Sequence, residues 1–215
     1  MQTLEDLLTL LDGEYSWRLK ELISMRSLVS QEDIKKSQIF IRTSLVFLYA
    51  HWEGFIRKAT EYYLEYINEQ GHNYEEINYN LTALALKHQG LQLEQKSDNI
   101  DRYFKAVNFI LNRSSIPVRL PASKVIKDPS VLNSELFKNL LEILGLSEEH
   151  YQLKKKKLDE ILIKERHDIA HGKRNNISIG DFNATYDMVV NFLEYFKDQL
   201  YISALETGYL NKAKC

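Results

Sequence analysis

Residues 41–66 read IRTSLVFLYAHWEGFIRKATEYYLEY. Within them Ile41, Leu45, Leu48, Trp52, Phe55, Ala59, Tyr62 and Tyr66 recur at alternating intervals of four and three. An α-helix turns once in about 3.6 residues, so this spacing gathers the apolar groups on one face. A strand would alternate every second residue, and this stretch does not. It predicts a long helix over residues 31–70, packed lengthwise against others and closed near Asn68 to Gly71, where glycine can take the left-handed capping conformation. The same signal returns at both ends of the chain. Leu4, Leu8, Leu11, Tyr15, Leu22, Met25 and Val29 form a stripe broken once, at Arg18, and predict a helix over residues 3–29. Phe182, Tyr186, Val189, Leu193, Phe196 and Leu200 predict another over 181–206, capped by Asp181.

Composition agrees with a helical reading. The chain has 8 Gly and 3 Pro in 215 residues, well below the ~12% these two make up on average. That scarcity of helix breakers argues against a β-sandwich, a collagen-like chain or a disordered one. Hydrophobic residues at 44% and charged residues at 27% suit a soluble globular protein. With 28 basic and 30 acidic residues the net charge is −2, so any nucleic-acid site is a local patch, not a global field. The single cysteine, Cys215, excludes an internal disulfide and a cysteine-based zinc site, and fits a reducing, cytoplasmic setting. No apolar run approaches the ~18 residues of a membrane span, and the acidic, amphipathic N-terminus is unlike a signal peptide.

The length suits one domain, and with no internal repeat or low-complexity linker, residues 1–215 read as one all-α unit. The middle of the chain is less regular. Tyr74–His88 and Ser97–Leu111 read as shorter helices. Pro117, Pro121 and Pro129 mark an extended loop or at most a short edge strand, and Leu136–Leu144 is a short helix closed by Gly145. Ser30 with Asp33 forms a capping box. Ser147 is expected to cap a helix over 148–172 that Gly172 ends, and residues after Thr207 to fray. The expected architecture is a bundle of long antiparallel helices with an elaboration over 72–146.

Functional groups concentrate in KERHDIAHGKR, residues 164–174. Arg166 and His171 stand five positions apart, about 140° of helical rotation. They diverge within one chain unless the helix end unwinds, so a site using both suits a cleft shared by two subunits. An Arg followed after four residues by a His, near the end of a long helix in an all-helical bundle, resembles the HEPN superfamily. Ile169-Ala170-His171-Gly172 is similar to the common ending of its motif helix. Tyr49-Ala50-His51-Trp52-Glu53-Gly54-Phe55-Ile56, Val131-Leu132-Asn133-Ser134-Glu135-Leu136 and Ile143-Leu144-Gly145-Leu146 resemble a bacterial branch, the MAE_28990-like HEPN proteins. The resemblance covers most of residues 40–205. It implies a dimeric, metal-independent endoribonuclease with no cofactor, of the toxin–antitoxin or antiphage kind, with RNA as substrate and an antitoxin or defence-system protein as a further partner. The residue after the Arg, commonly Asn in the family, is His167 here. It supplies polar support, adds an acid–base group, or marks reduced activity.

The residues suit that chemistry. Cleavage of RNA through its own 2′-hydroxyl needs a base, an acid and positive charge on the transition state. Histidine titrates near pH 6.5 and can act as base or acid, and an arginine fork matches two phosphate oxygens. His171 is the candidate base or acid and Arg166 the phosphate stabiliser. Asp168 is a candidate to orient a histidine, and Lys173 and Arg174 to hold flanking phosphates. His171 at a helix end is also an ordinary partner for the helix dipole, and a non-catalytic HEPN-like interaction module would keep the same residues.

A different chemistry uses the same segment. His167 and His171 spell H-D-x-x-H, one methylene short of the zinc-protease pattern, with Glu194 as a conceivable third ligand. On the long helix, His51 and Glu53 flank Trp52 and are candidates to support the site or an interface. Lys154 to Lys157 wrap around their helix and read as solvated surface. Tyr62, Tyr63 and Tyr66, at helical spacing, read as core or interface before base-stacking platforms.

Overall fold

The computed structural model describes residues 3–30, 38–88, 100–126 and 132–211. The heptad stretch is α2, Gln38–Glu69, with Ile41, Leu45, Leu48, Trp52, Phe55 and Ala59 all buried. It packs against α1, Leu4–Val29, and against the final helix, Ile179–Leu205, which also touch each other. Between them come α3 (Tyr79–His88), α4 (Ile100–Asn112), a 3₁₀ turn (Ala122–Lys124) and α5 (Ser134–Leu144). Two short helices come next, α6 (Glu149–Gln152) and α7 (Lys155–Lys157), then a π-helical segment (Leu158–Ile163) and α8 (Lys164–Ala170); the final helix is α9. Among the described residues there is no β-strand, only isolated bridges such as Asn73 with Pro117. The fold is all-α, and no described helix is long and apolar enough to cross a membrane.

The break at Arg18 has a physical cause. Its guanidinium enters the seam between α1 and α2, donating to Glu14 at 2.7 Å and to the His51 carbonyl at 3.4 Å. It lies over Gly54, where a Cβ would come within 2.8 Å of both terminal nitrogens. The stripe therefore continues through Arg18 with a polar tooth fitted against a glycine. Both registers differ slightly from expectation: on α1 Leu7 is fully buried in place of Leu8, and on α2 Tyr63 in place of Tyr62.

Several boundaries are corrected. The helix expected over 148–172 is broken, because the chain turns at Leu153 and Lys154 and then takes the π segment before α8. Ser147 precedes α6 without capping it; its hydroxyl accepts from the Glu149 amide at 3.3 Å, and the cap position is Glu148. Ser178, not Asp181, caps α9, accepting the Asp181 amide at 3.0 Å. α3 starts at Tyr79, because the Asn78 side chain accepts the Leu81 amide at 3.0 Å. Residues 207–211 do not fray. Tyr209 is buried, its carbonyl accepts the Asn78 amide at 2.9 Å, and the Asn211 amide donates to the Glu76 carbonyl at 2.8 Å. Asp33 of the expected capping box, Ser97, Pro129, Val131 and Cys215 lie outside the described residues.

Candidate active site

The segment carrying Arg166 and His171 approaches through the π turn. A π turn accommodates an extra residue and so rotates everything after it, a device frequent beside functional sites. Here Leu158 and Leu162 stay buried across it, while the Ser134 hydroxyl donates to the Asp159 carboxylate at 2.5 Å and ties the start of α5 to the segment. α8 then packs against α2.

That packing positions Arg166. Its guanidinium carbon lies 4.2 Å from the centre of the Tyr49 ring. Tyr49 is 2% exposed, its hydroxyl donates to the Leu132 carbonyl at 3.1 Å, and its ring meets Trp52 edge to face. Burial, and next the Glu53 carboxylate, push its pKa well above the usual tyrosine range, so the platform is neutral. A guanidinium held over a ring by a cation–π contact keeps N–H donors that can serve a phosphate. Arg18, Arg26 and Arg57 are paired with Glu14, Asp187 and Glu53. Among the described residues no carboxylate pairs with Arg166. Sequence reasoning placed Tyr49 in a stretch of resemblance but missed its role. Its four-residue lead over Glu53 on one face of α2 was the available signal.

His167 and His171 are exposed neighbours, their ring centres 4.4 Å apart. The helix stays wound to its end, with the His171 amide donating to the His167 carbonyl at 3.1 Å. Arg166 and His171 therefore diverge, and no contact joins them among the described residues. Gly172, with φ +78°, turns the chain back. A clamp holds the chain beyond Gly172. Lys173 Nζ donates to Asp168 at 2.7 Å, and the Asn175 amide group donates to Glu165 at 2.7 Å and to Asp168 at 3.2 Å. Arg42 reaches the Asn175 carbonyl at 3.3 Å, and Gln38 exchanges two hydrogen bonds with Ile177. The bonds from Lys173 and Asn175 hold the Asp168 carboxyl below its ordinary range.

Two of the sequence-predicted residues take part in this clamp. Asp168, 9% exposed, serves the turn and makes no hydrogen bond to a histidine among the described residues. Lys173 and Arg174 are both exposed, and Lys173 pairs with Asp168 at 2.7 Å. Glu165, Asn175, Arg42 and Gln38 are clamp residues that sequence reasoning missed, because their partners lie on another helix or in an irregular loop.

The remaining candidates separate. His51 sits about 200° of rotation from Tyr49 on α2 and faces α1, its Nε2 3.1 Å from Glu21. Glu53 shares the Tyr49 face and accepts from Arg57 at 2.7 Å. Tyr63 and Tyr66 are buried and Tyr62 lies under Lys58, so they pack the fold. Of the four lysines, Lys155 and Lys156 are exposed, whereas Lys154 and Lys157 are half-buried, Lys154 Nζ lying 5.9 Å from the centre of the Phe192 ring. Glu194 lies near Tyr15 on the α1 side of the bundle. Among the described residues no three His, Cys, Asp or Glu side chains are grouped to hold a metal ion, so the two imidazoles lack the third ligand that the zinc reading requires.

A family model described as RiboL-PSP-HEPN matches residues 14–201, a span that holds α2, α8 and the whole Arg166–His171 segment. No curated protein and no solved structure matches the chain.

Proposed function

Because the chain belongs to the RiboL-PSP-HEPN family, whose superfamily is rich in ribonucleases, we propose that it is a metal-independent endoribonuclease cleaving RNA by 2′-hydroxyl transesterification. It works as a cytoplasmic homodimer in a toxin–antitoxin or antiphage setting. Arg166 carries the reading. A half-buried guanidinium that no carboxylate pairs with among the described residues is costly unless something else meets its charge, which favours a bound phosphate. Catalysis gains most from charge fixed in advance where the transition state develops its own.

The arrangement supports the following roles. Arg166 binds the two non-bridging phosphate oxygens through its fork. His171, at the end of α8, transfers a proton, and the clamp through Asp168 and Asn175 fixes the turn that carries it. Since Arg166 faces α2 while His171 faces outward, the two act on one phosphate when a two-fold axis brings together Arg166 of one protomer and the histidine of its partner.

The test is incubation of pure protein with total RNA in EDTA, beside Arg166→Ala and His171→Ala. Cleavage by wild type alone, with products ending in 2′,3′-cyclic phosphate, supports the proposal. Intact RNA with folded wild-type protein favours the interaction-module reading. Activity lost in EDTA and restored by zinc favours metal chemistry.

A further inference from the structure

Transesterification needs two proton transfers, and a guanidinium performs neither. The 2′-hydroxyl loses a proton as its oxygen attacks phosphorus, and the 5′-oxygen gains one as it leaves. One imidazole accounts for only one of these at a time.

Among the described histidines, His51 is held against Glu21, His72 lies near Glu76 and His150 meets Asn191 while stacking on Tyr195. His88 is the exposed last residue of α3. His167 and His171 differ from all four. Their rings lie 4.4 Å apart at an interplanar angle of 57°, both are exposed, and no ring nitrogen of either makes a hydrogen bond among the described residues. Asp168, the nearby carboxylate, is occupied by Lys173 and Asn175. The backbone sets the pair: an α-helical bond joins His171 to His167, and the Lys173 amide closes on the Asp168 carbonyl at 2.9 Å. Two imidazoles in contact at this spacing can approach one phosphate from the same side, one directed at the attacking oxygen and the other at the leaving oxygen.

Resting on the ribonuclease reading above, we propose that His167 is a second catalytic residue and that His167 and His171 of one protomer form an acid–base pair. One imidazole takes the 2′-hydroxyl proton as the O2′–P bond forms. The other, as imidazolium, gives its proton to O5′ as the P–O5′ bond breaks. The products are a 2′,3′-cyclic phosphate and a free 5′-hydroxyl. The pair ends with its protonation reversed, and exchange with water resets it.

Single-turnover cleavage in EDTA tests this at a site first mapped with wild-type protein. Two substrates are compared: ordinary RNA, and RNA with sulfur in place of the bridging 5′-oxygen, which leaves as a thiolate and needs no acid. His167→Ala and His171→Ala should each slow ordinary RNA by about 10²–10⁴-fold. The sulfur substrate should restore one of them to near the wild-type rate and leave the other, and Arg166→Ala, slow. His167→Asn, close in shape but unable to titrate, should behave as His167→Ala does; circular dichroism shows that each variant is folded. Wild-type rates from both His167 variants, or sulfur rescue of both histidine sites or of neither, overturn the pair and leave the ribonuclease reading standing. Wild-type protein that cuts no RNA overturns both.

Discussion

The guanidinium of Arg166, on α8, rests 4.2 Å from the ring centre of Tyr49, on α2, so the helix that organises the core also carries the platform for the candidate site's cation. This stacking separates two contributions of one side chain. Tyr49→Phe keeps the ring and removes the hydrogen bond to the Leu132 carbonyl. It should cost about 0.5–1.5 kcal/mol of stability and leave cleavage within a few-fold. Tyr49→Leu removes the platform. Without a cation–π interaction of about 0.5–2 kcal/mol, cleavage should slow by roughly 2- to 30-fold. Urea melts and single-turnover rates on the same preparations check both.

The divergence of Arg166 from His171 makes a prediction about assembly. If one phosphate is held by Arg166 of one protomer and met by histidine from its partner, two dead variants complement each other. A dimer of Arg166→Ala with His171→Ala has one complete composite site, and a random mixture should recover about a quarter of wild-type activity. Homodimers of either variant should stay inactive. Co-expression under two affinity tags supplies the mixed dimer, and activity no greater than that of the separate variants would show that the site lies within one chain.

Two neighbouring cations should differ in RNA binding. Both are exposed, Lys173 paired with Asp168 and Arg174 without an acidic partner among the described residues. Removing one phosphate-binding cation lowers the salt slope of binding by about one. Arg174→Ala should show that decrease and Lys173→Ala should not, measured by affinity against log salt with an inactive His171→Ala background. Lys173→Ala should act instead on the turn. Asn175→Ala loosens the same clamp from its other side and should slow cleavage by about 10- to 100-fold, the effect of a small misplacement at a reacting group, with little change in Tm.

The sequence made the long helices legible because burial on one face imposes a period, and that period survives in Ile41 to Tyr66 and in Phe182 to Leu200. It made Arg166 and His171 legible as a spaced pair, and the family match over 14–201 supports that placement in a HEPN fold. It did not reveal the platform under Arg166 or the clamp behind His171. Those depend on how α2 meets α8 and on the loop from Gly172 to Ile177, and neither leaves a periodic trace. The π turn was invisible for a related reason: Leu158 and Leu162 are spaced as on an ordinary helix. Arg18 was legible only as a defect, and its fit over Gly54 required the partner helix to be in place.

His51 makes the last prediction, one of pH and stability. It is 4% exposed in the α1–α2 seam, between Phe47 and Trp17, with Nε2 at Glu21 and Nδ1 without a partner among the described residues. Burial, and next the Arg18 charge, lower its pKa from the ordinary 6.5, while Glu21 and Glu14 oppose the shift. The folded protein thus binds this proton less readily than the unfolded chain does, and protonation favours unfolding. Stability from His51 is complete at neutral pH and above, and falls as the pH drops through 6.5 and below. Between pH 7.5 and 5.5 the wild-type Tm should decline. His51→Phe keeps an aromatic ring between Phe47 and Trp17 but has no proton to bind, so its Tm should change less over that interval. Equal declines in the two proteins would place the acid sensitivity elsewhere. Asp168 acts only in a lower window, because its depressed pKa makes its contribution disappear as the pH falls below its ordinary 3.8, so the two groups are read separately in one pH series.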